Sequence, residues 1–162
     1  MCHRASSLKI SCCPSFGIGR DHRGQAAIAP GPRCLIVAWD VEVTDEFKTW
    51  WNGLTEAERT SVERAVLLLE DRGPHLPFPY SSKVNGSRHS AMRELRVQHQ
   101  GQPYRVLYIF DPRRVALLLL GGDKTGDDRW CEKKNIPLAD QIYDNYLSEM
   151  EEENNAKDDK VQ

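Results

Sequence analysis

Apolar and polar residues begin to alternate at Val37: Trp39, Val41 and Val43 are interleaved with Ala38, Asp40 and Glu42. This is the two-residue period of a half-buried strand. Thr44 followed by Asp45 and Glu46 then reads as an N-cap with acids in the first helical turn, where the helix dipole favours them. The helix carries Phe47, Trp50 and Trp51 and ends at Asn52-Gly53. Thr55 and Glu58 have capping-box spacing and open a second helix, with Val62, Ala65, Val66 and Leu69 as its core stripe. Gly73-Pro74 stops it. Residues 73–82, with three prolines, predict irregular chain. Three strands follow, from Met92 to His99, Tyr104 to Phe110 and Val115 to Leu120, separated by short turns that imply an antiparallel meander. The run Ala116–Leu120 is continuously apolar, which predicts a strand covered on both faces. Pro137 opens a last helix with Leu138, Ile142 and Tyr146 as its stripe. The order β-α-α-β-β-β-α predicts an α+β fold: an N-terminal strand and helical hairpin packed on a small antiparallel sheet, with a C-terminal helix.

Both ends differ from this pattern. Residues 1–36 hold four of the five cysteines and have neither period, nor an apolar run long enough for a signal peptide. Cys12-Cys13 with isolated His3 and His22 lacks the paired spacing of a zinc site, so no metal is expected. The expectation is an unstructured leader over 1–36, with translation starting at or near Val37, a folded domain over 37–148, and an acidic, disordered tail over 149–162. No apolar run approaches the roughly 20 residues that span a bilayer.

The formal net charge is −2, which by itself argues against a polyanionic partner. Divided by segment it changes meaning: net +4 over 1–36, −5 over 37–82, +5 over 83–134 and −6 over 135–162. The basic segment is the predicted sheet and its loops. Strand alternation puts Arg93, Leu95, Val97 and His99 on one face and Met92, Glu94, Arg96 and Gln98 on the other. Arg105 shares a face with Leu107 and Ile109, opposite Tyr104, Val106, Tyr108 and Phe110. An arginine on an apolar strand face must pair with an acid, reach water, or stand at the rim of a concave site. Meander geometry brings Lys124, after Gly121-Gly122-Asp123, towards Arg105 and Pro103-Tyr104.

Three motifs in this order, Met92-Arg-Glu-Leu-Arg96, Tyr104-Arg-Val-Leu-Tyr108 and Gly122-Asp-Lys-Thr125, resemble the RelE/ParE toxin superfamily. The sequence is most similar to the phage-derived HigB-like branch of type II toxin–antitoxin systems, over about residues 38–148. The resemblance implies a cytoplasmic toxin that cuts translated mRNA in the ribosome without metal or cofactor, held in a hetero-oligomer by a cognate helix-turn-helix antitoxin. It assigns Arg105 to phosphate and transition-state stabilisation, and Arg96 and Lys124 to phosphate or proton handling. Lys83, His89, Arg93, Arg129 and the aromatic Tyr104 and Trp130 are the expected RNA contacts. These residue types suit the chemistry. Cleavage by the RNA's own 2′-OH builds negative charge on phosphorus oxygens, which clustered guanidinium and ammonium groups stabilise. A lysine among like charges has a lowered pKa and can move protons. Two other readings share the fold: a ParE-like protein that inhibits DNA gyrase by binding alone, and a degenerate toxin kept as an antitoxin-binding partner.

Overall fold

In the computed structural model the described residues are 38–126 and 134–158. The leading segment, Arg129, Trp130 and Cys131 lie outside them. The element order is β1 (Asp40–Val43), α1 (Asp45–Asn52), α2 (Glu56–Arg72), a 3₁₀ turn (Gly73–His75), β2 (Ser81–Lys83), β3 (Arg93–His99), β4 (Gln102–Asp111), β5 (Val115–Asp123) and α3 (Ile136–Asp158). The fold is α+β, as the periodicity predicts. The strands form one sheet in the order β1-β5-β4-β3-β2. β3, β4 and β5 are the antiparallel meander, but β1 joins β5 in parallel. The sheet is therefore mixed rather than purely antiparallel, because the helical hairpin carries the chain across the sheet between β1 and the meander.

Local signals account for the hairpin. The Thr44 hydroxyl accepts from the Phe47 amide, capping α1. At α2 the Thr55 hydroxyl accepts from the Glu58 amide while the Glu58 carboxylate accepts from the Thr55 amide, the complete reciprocal box. Gly73 ends α2 at φ +54°, a conformation that favours glycine, and a Cβ there would lie 2.1 Å from the Trp39 indole. Gly121 makes the same kind of room for Trp50, with a Cβ placed at 2.2 Å from its ring. The two tryptophans thus lock the hairpin to the sheet by packing against glycine backbone.

The sheet separates two cores. On the hairpin side Val43, Phe47, Val62, Val66 and Leu69 meet Leu95, Val97, Tyr104, Val106, Tyr108, Ala116 and Leu118. On the other side Ile136, Ala139, Ile142 and Tyr143 of α3 cover Met92, Leu107, Ile109, Leu117 and Leu119. β5 is accordingly buried on both faces, as its unbroken leucines require.

Four sequence expectations are corrected. Within 73–82 the chain forms the 3₁₀ turn and begins β2, which pairs with β3 at Ser81–Leu95 through Lys83–Arg93. β5 continues through Gly121, Gly122 and Asp123 instead of turning at the glycines, since β4 supplies Val106, Arg105 and Tyr104 as partners. α3 presents Ile136, Ala139, Ile142 and Tyr143 to the core, with Tyr146 packed against them, while Leu138 is 40% exposed, so of the predicted stripe Leu138 alone faces away. α3 also runs to Asp158, so the acidic stretch from Glu149 starts as helix. Its Glu, Met and Ala residues are good helix formers, and extending an existing helix avoids the nucleation penalty.

Candidate functional site

The meander register sets three positions in a row. Arg96 of β3 lies directly opposite Arg105 of β4, which lies opposite Gly122 of β5. Two like charges facing each other across a strand pair are unfavourable. Glu94, two residues before Arg96 and on its face, compensates them: its Oε1 is 3.8 Å from Arg105 Nε and 3.9 Å from Arg96 Nε. The same oxygen accepts a 2.8 Å hydrogen bond from Ser82 Oγ on β2. Arg105 also donates through Nη1 to the Tyr104 carbonyl at 2.8 Å. The Nε separations exceed hydrogen-bond length, so these contacts are electrostatic.

Burial grades along the row. Arg105 is 4% exposed, whereas the Arg96 side chain keeps 31% of its surface in solvent. The Arg96 guanidinium also lies 5.1 Å from the centre of the Phe78 ring. Lys124 follows β5 and is half-buried, its amide donating to the Pro103 carbonyl at 2.8 Å. The Asp123 carboxylate accepts from the Thr125 amide at 2.7 Å, which turns the chain around Lys124. The Lys124 backbone thus adjoins Pro103, the part of the predicted approach that the hydrogen bond shows.

The other expected contacts are scattered. Tyr104 is 4% exposed and sits on the hairpin face, away from Arg105, with its hydroxyl 2.7 Å from Glu58 Oε1 and 2.8 Å from Gln102 Oε1. Burial and the adjacent Glu58 carboxylate push the Tyr104 hydroxyl up to about 12. Hydrogen bonds from Tyr104 and Thr55 lower Glu58 to about 2. Arg93 is on the hairpin face too, donating to Ser81 Oγ at 3.0 Å; that hydroxyl meets the Tyr108 hydroxyl at 2.7 Å. His89 belongs to a loop docked on α3, its Nε2 2.8 Å from Asp144 Oδ1 and its ring edge-on to Tyr143. His99 meets Ser61 Oγ at 2.8 Å and ties β3 to α2. Lys83 is exposed at the end of β2. Arg129 and Trp130 lie outside the described residues. The register therefore pairs Arg96 with Arg105 and sets the Lys124 backbone beside Pro103, while Tyr104, Arg93 and His89 serve packing and docking contacts.

Sequence reading missed Glu94 as the centre of the cluster, although its i, i+2 relation to Arg96 put both on one face. Ser82 could not be placed without β2. Phe78, between two prolines, carries no periodic signal at all.

A second polar network fixes α3. Asp111 accepts from the Arg113 side chain and amide and from Tyr146, whose hydroxyl also reaches Glu42. Burial would raise Asp111, but the Arg113 hydrogen bonds outweigh it and its pKa is lowered. Burial and Glu42 raise the Tyr146 hydroxyl well above its ordinary range. Ser87 and the Arg88 amide hold the buried Asp140. These contacts are structural links between elements.

Comparison with known proteins is consistent with this architecture. Residues 49–144 match the family described as phage derived protein Gp49-like (DUF891). Over 121 residues the chain is 37% identical to a candidate toxin of Mycobacterium tuberculosis H37Rv named HigB2, a span covering 74% of this chain and 59% of that relative. Over 104 residues it is 44% identical to a second candidate toxin of the same organism, HigB3, covering 64% of this chain and 89% of the relative. No helix among the described residues is long and apolar enough to cross a membrane.

Proposed function

Because the chain belongs to the phage-derived Gp49-like family, among relatives named as HigB toxins, we propose that it is the toxin of a type II toxin–antitoxin pair and an endoribonuclease acting on mRNA at the ribosome. The observation that carries this reading is the cross-strand pair of Arg96 and Arg105 with Lys124 on the adjoining loop. A cationic row of this kind suits one phosphodiester. In the reaction the 2′-oxygen bonds to phosphorus, the bond from phosphorus to the 5′-oxygen breaks, and the products are a cyclic 2′,3′-phosphate and a free 5′-hydroxyl. Arg96, the more accessible of the two arginines, meets the phosphate first. Arg105, fixed beneath it by Glu94 and the Tyr104 carbonyl, needs no rearrangement to stabilise the charge that grows on the phosphorane. Lys124 is suited to hold a phosphate oxygen or to protonate the departing 5′-oxygen. On this reading the protein works in the cytoplasm, with translating ribosomes as the site of action and a helix-turn-helix antitoxin as the silencing partner in a hetero-oligomer.

The burial of Arg105 and its pairing with Glu94 favour a second reading, in which the same fold binds a target such as gyrase, or only its antitoxin, and cuts nothing. Primer extension on mRNA after brief induction separates the two. Ribosome-dependent cuts that disappear in Arg105→Ala and Lys124→Ala support the nuclease. Growth arrest with intact mRNA and relaxed plasmid DNA supports a gyrase inhibitor.

A further inference from the structure

Two aromatic rings near the arginine row have opposite fates. Tyr104 is buried with its hydroxyl committed to Glu58 and Gln102. Phe78, on the connection from the 3₁₀ turn to β2, is 70% exposed, more than any other large apolar side chain among the described residues. A single exposed ring is unremarkable by itself. What distinguishes this one is Arg96, whose guanidinium stands 5.1 Å from the ring centre while its Nε lies 3.9 Å from Glu94. The ring is thereby joined to the charged row. Next to it opens a cleft of about 350 Å³ with Arg64, Tyr80 and Arg96 in its wall, within the size range of small-ligand pockets. The surroundings are cationic and aromatic together, which is the composition that grips unpaired nucleic acid. Bases stack on aromatic rings and guanidinium planes, and the flanking phosphates pair with arginine.

We propose that Phe78 is a base-stacking platform: an unpaired RNA base lies on its open face, the adjoining phosphate is held by Arg96, and the cleft beside Tyr80 and Arg64 receives the neighbouring nucleotide. The proposal rests on the RNA reading above and extends it to a base-binding subsite. It moves the stacking role from Tyr104, which the fold buries, to a ring that the fold leaves open. The platform contributes to grip and to the choice of cutting position, while Arg96, Arg105 and Lys124 act on the phosphate.

The test uses the full chain and mRNA on programmed ribosomes, comparing wild type, Phe78→Leu and Phe78→Trp. Leucine keeps an apolar surface without a π face; tryptophan enlarges it. Phe78→Leu is expected to raise the enzyme concentration for half-maximal cleavage by about 5- to 150-fold. Its cutting positions should become less selective and its melting temperature should stay unchanged. Phe78→Trp is expected to restore wild-type behaviour. Equal cleavage by wild type and Phe78→Leu overturns the platform and leaves the nuclease reading standing. So does a Phe78→Leu variant that cuts normally but loses its antitoxin, which would make the ring a protein-docking site. A wild type that leaves mRNA intact overturns both.

Discussion

One face of the sheet carries two regions built from the same strands. At one end Leu107, Ile109, Leu117 and Leu119 lie under α3 and form a closed apolar core. At the other, beginning at Arg105 only two residues before Leu107, the same face carries Glu94, Arg96 and Arg105. Backbone pairing runs through both without interruption, apart from a bulge between Leu107 and Tyr108. The fold therefore does not separate core from site; the side chains do. A two-residue step turns a surface that expels water into one that holds charge, and the shared strands keep that charge rigid.

The largest expected effect comes from the apolar end. Leu107 is fully buried, and Leu107→Ala should lower stability by about 2–5 kcal/mol in chemical denaturation. Cleavage per folded molecule should be almost unchanged. If it fell as steeply as stability, the two regions would be one unit and the comparison would fail.

A smaller effect is expected at the charged end. Glu94→Gln removes the carboxylate between the two arginines and should destabilise the fold by about 1–3 kcal/mol, as the buried Arg105 loses one of its partners. With one negative charge removed from beside Arg96 and Arg105, half-maximal cleavage should be reached at a lower enzyme concentration. Loss of cleavage at saturating enzyme would instead assign Glu94 a proton-transfer role.

The smallest effect lies on the opposite face. Glu58 has a folded pKa of about 2 against an ordinary value of 4.5, through hydrogen bonds from Tyr104 and Thr55. A depressed carboxylate contributes stability above its unfolded pKa and loses it as pH falls through the folded one. Melting temperature should therefore decline between about pH 4.5 and 2, and Glu58→Gln should flatten that decline. RNA cleavage at neutral pH should respond little, because the capping box lies across the sheet from the arginines.

These contrasts also explain what could be read from sequence. The hairpin caps, the α2 stripe and the doubly buried β5 are local patterns with a fixed period, so they were legible. The placement of Arg105 with Leu107 and Ile109, and the approach of Lys124 to Pro103, followed from alternation and meander geometry. The parallel pairing of β1 was hidden because a four-residue strand carries no information about its partner. The stripe of α3 is legible at Ile142 and Tyr146, but Leu138 faces solvent because the packed face is centred on Ile136, Ala139 and Tyr143. Within the site, the residue types signalled charge without revealing burial. Tyr104 looked available for stacking although β4 turns it into the core, and Phe78 looked like a loop residue although Arg96 leans on it.

The central claim is that the charged end of the sheet performs cleavage while the apolar end only supports it. Its most direct measurement is mRNA cleavage on translating ribosomes by Arg105→Gln and Leu107→Ala at matched concentrations of folded protein. The account predicts that Arg105→Gln loses about 10²–10³-fold in cleavage rate while Leu107→Ala cuts at close to the wild-type rate. Equal cutting by Arg105→Gln and wild type would contradict it.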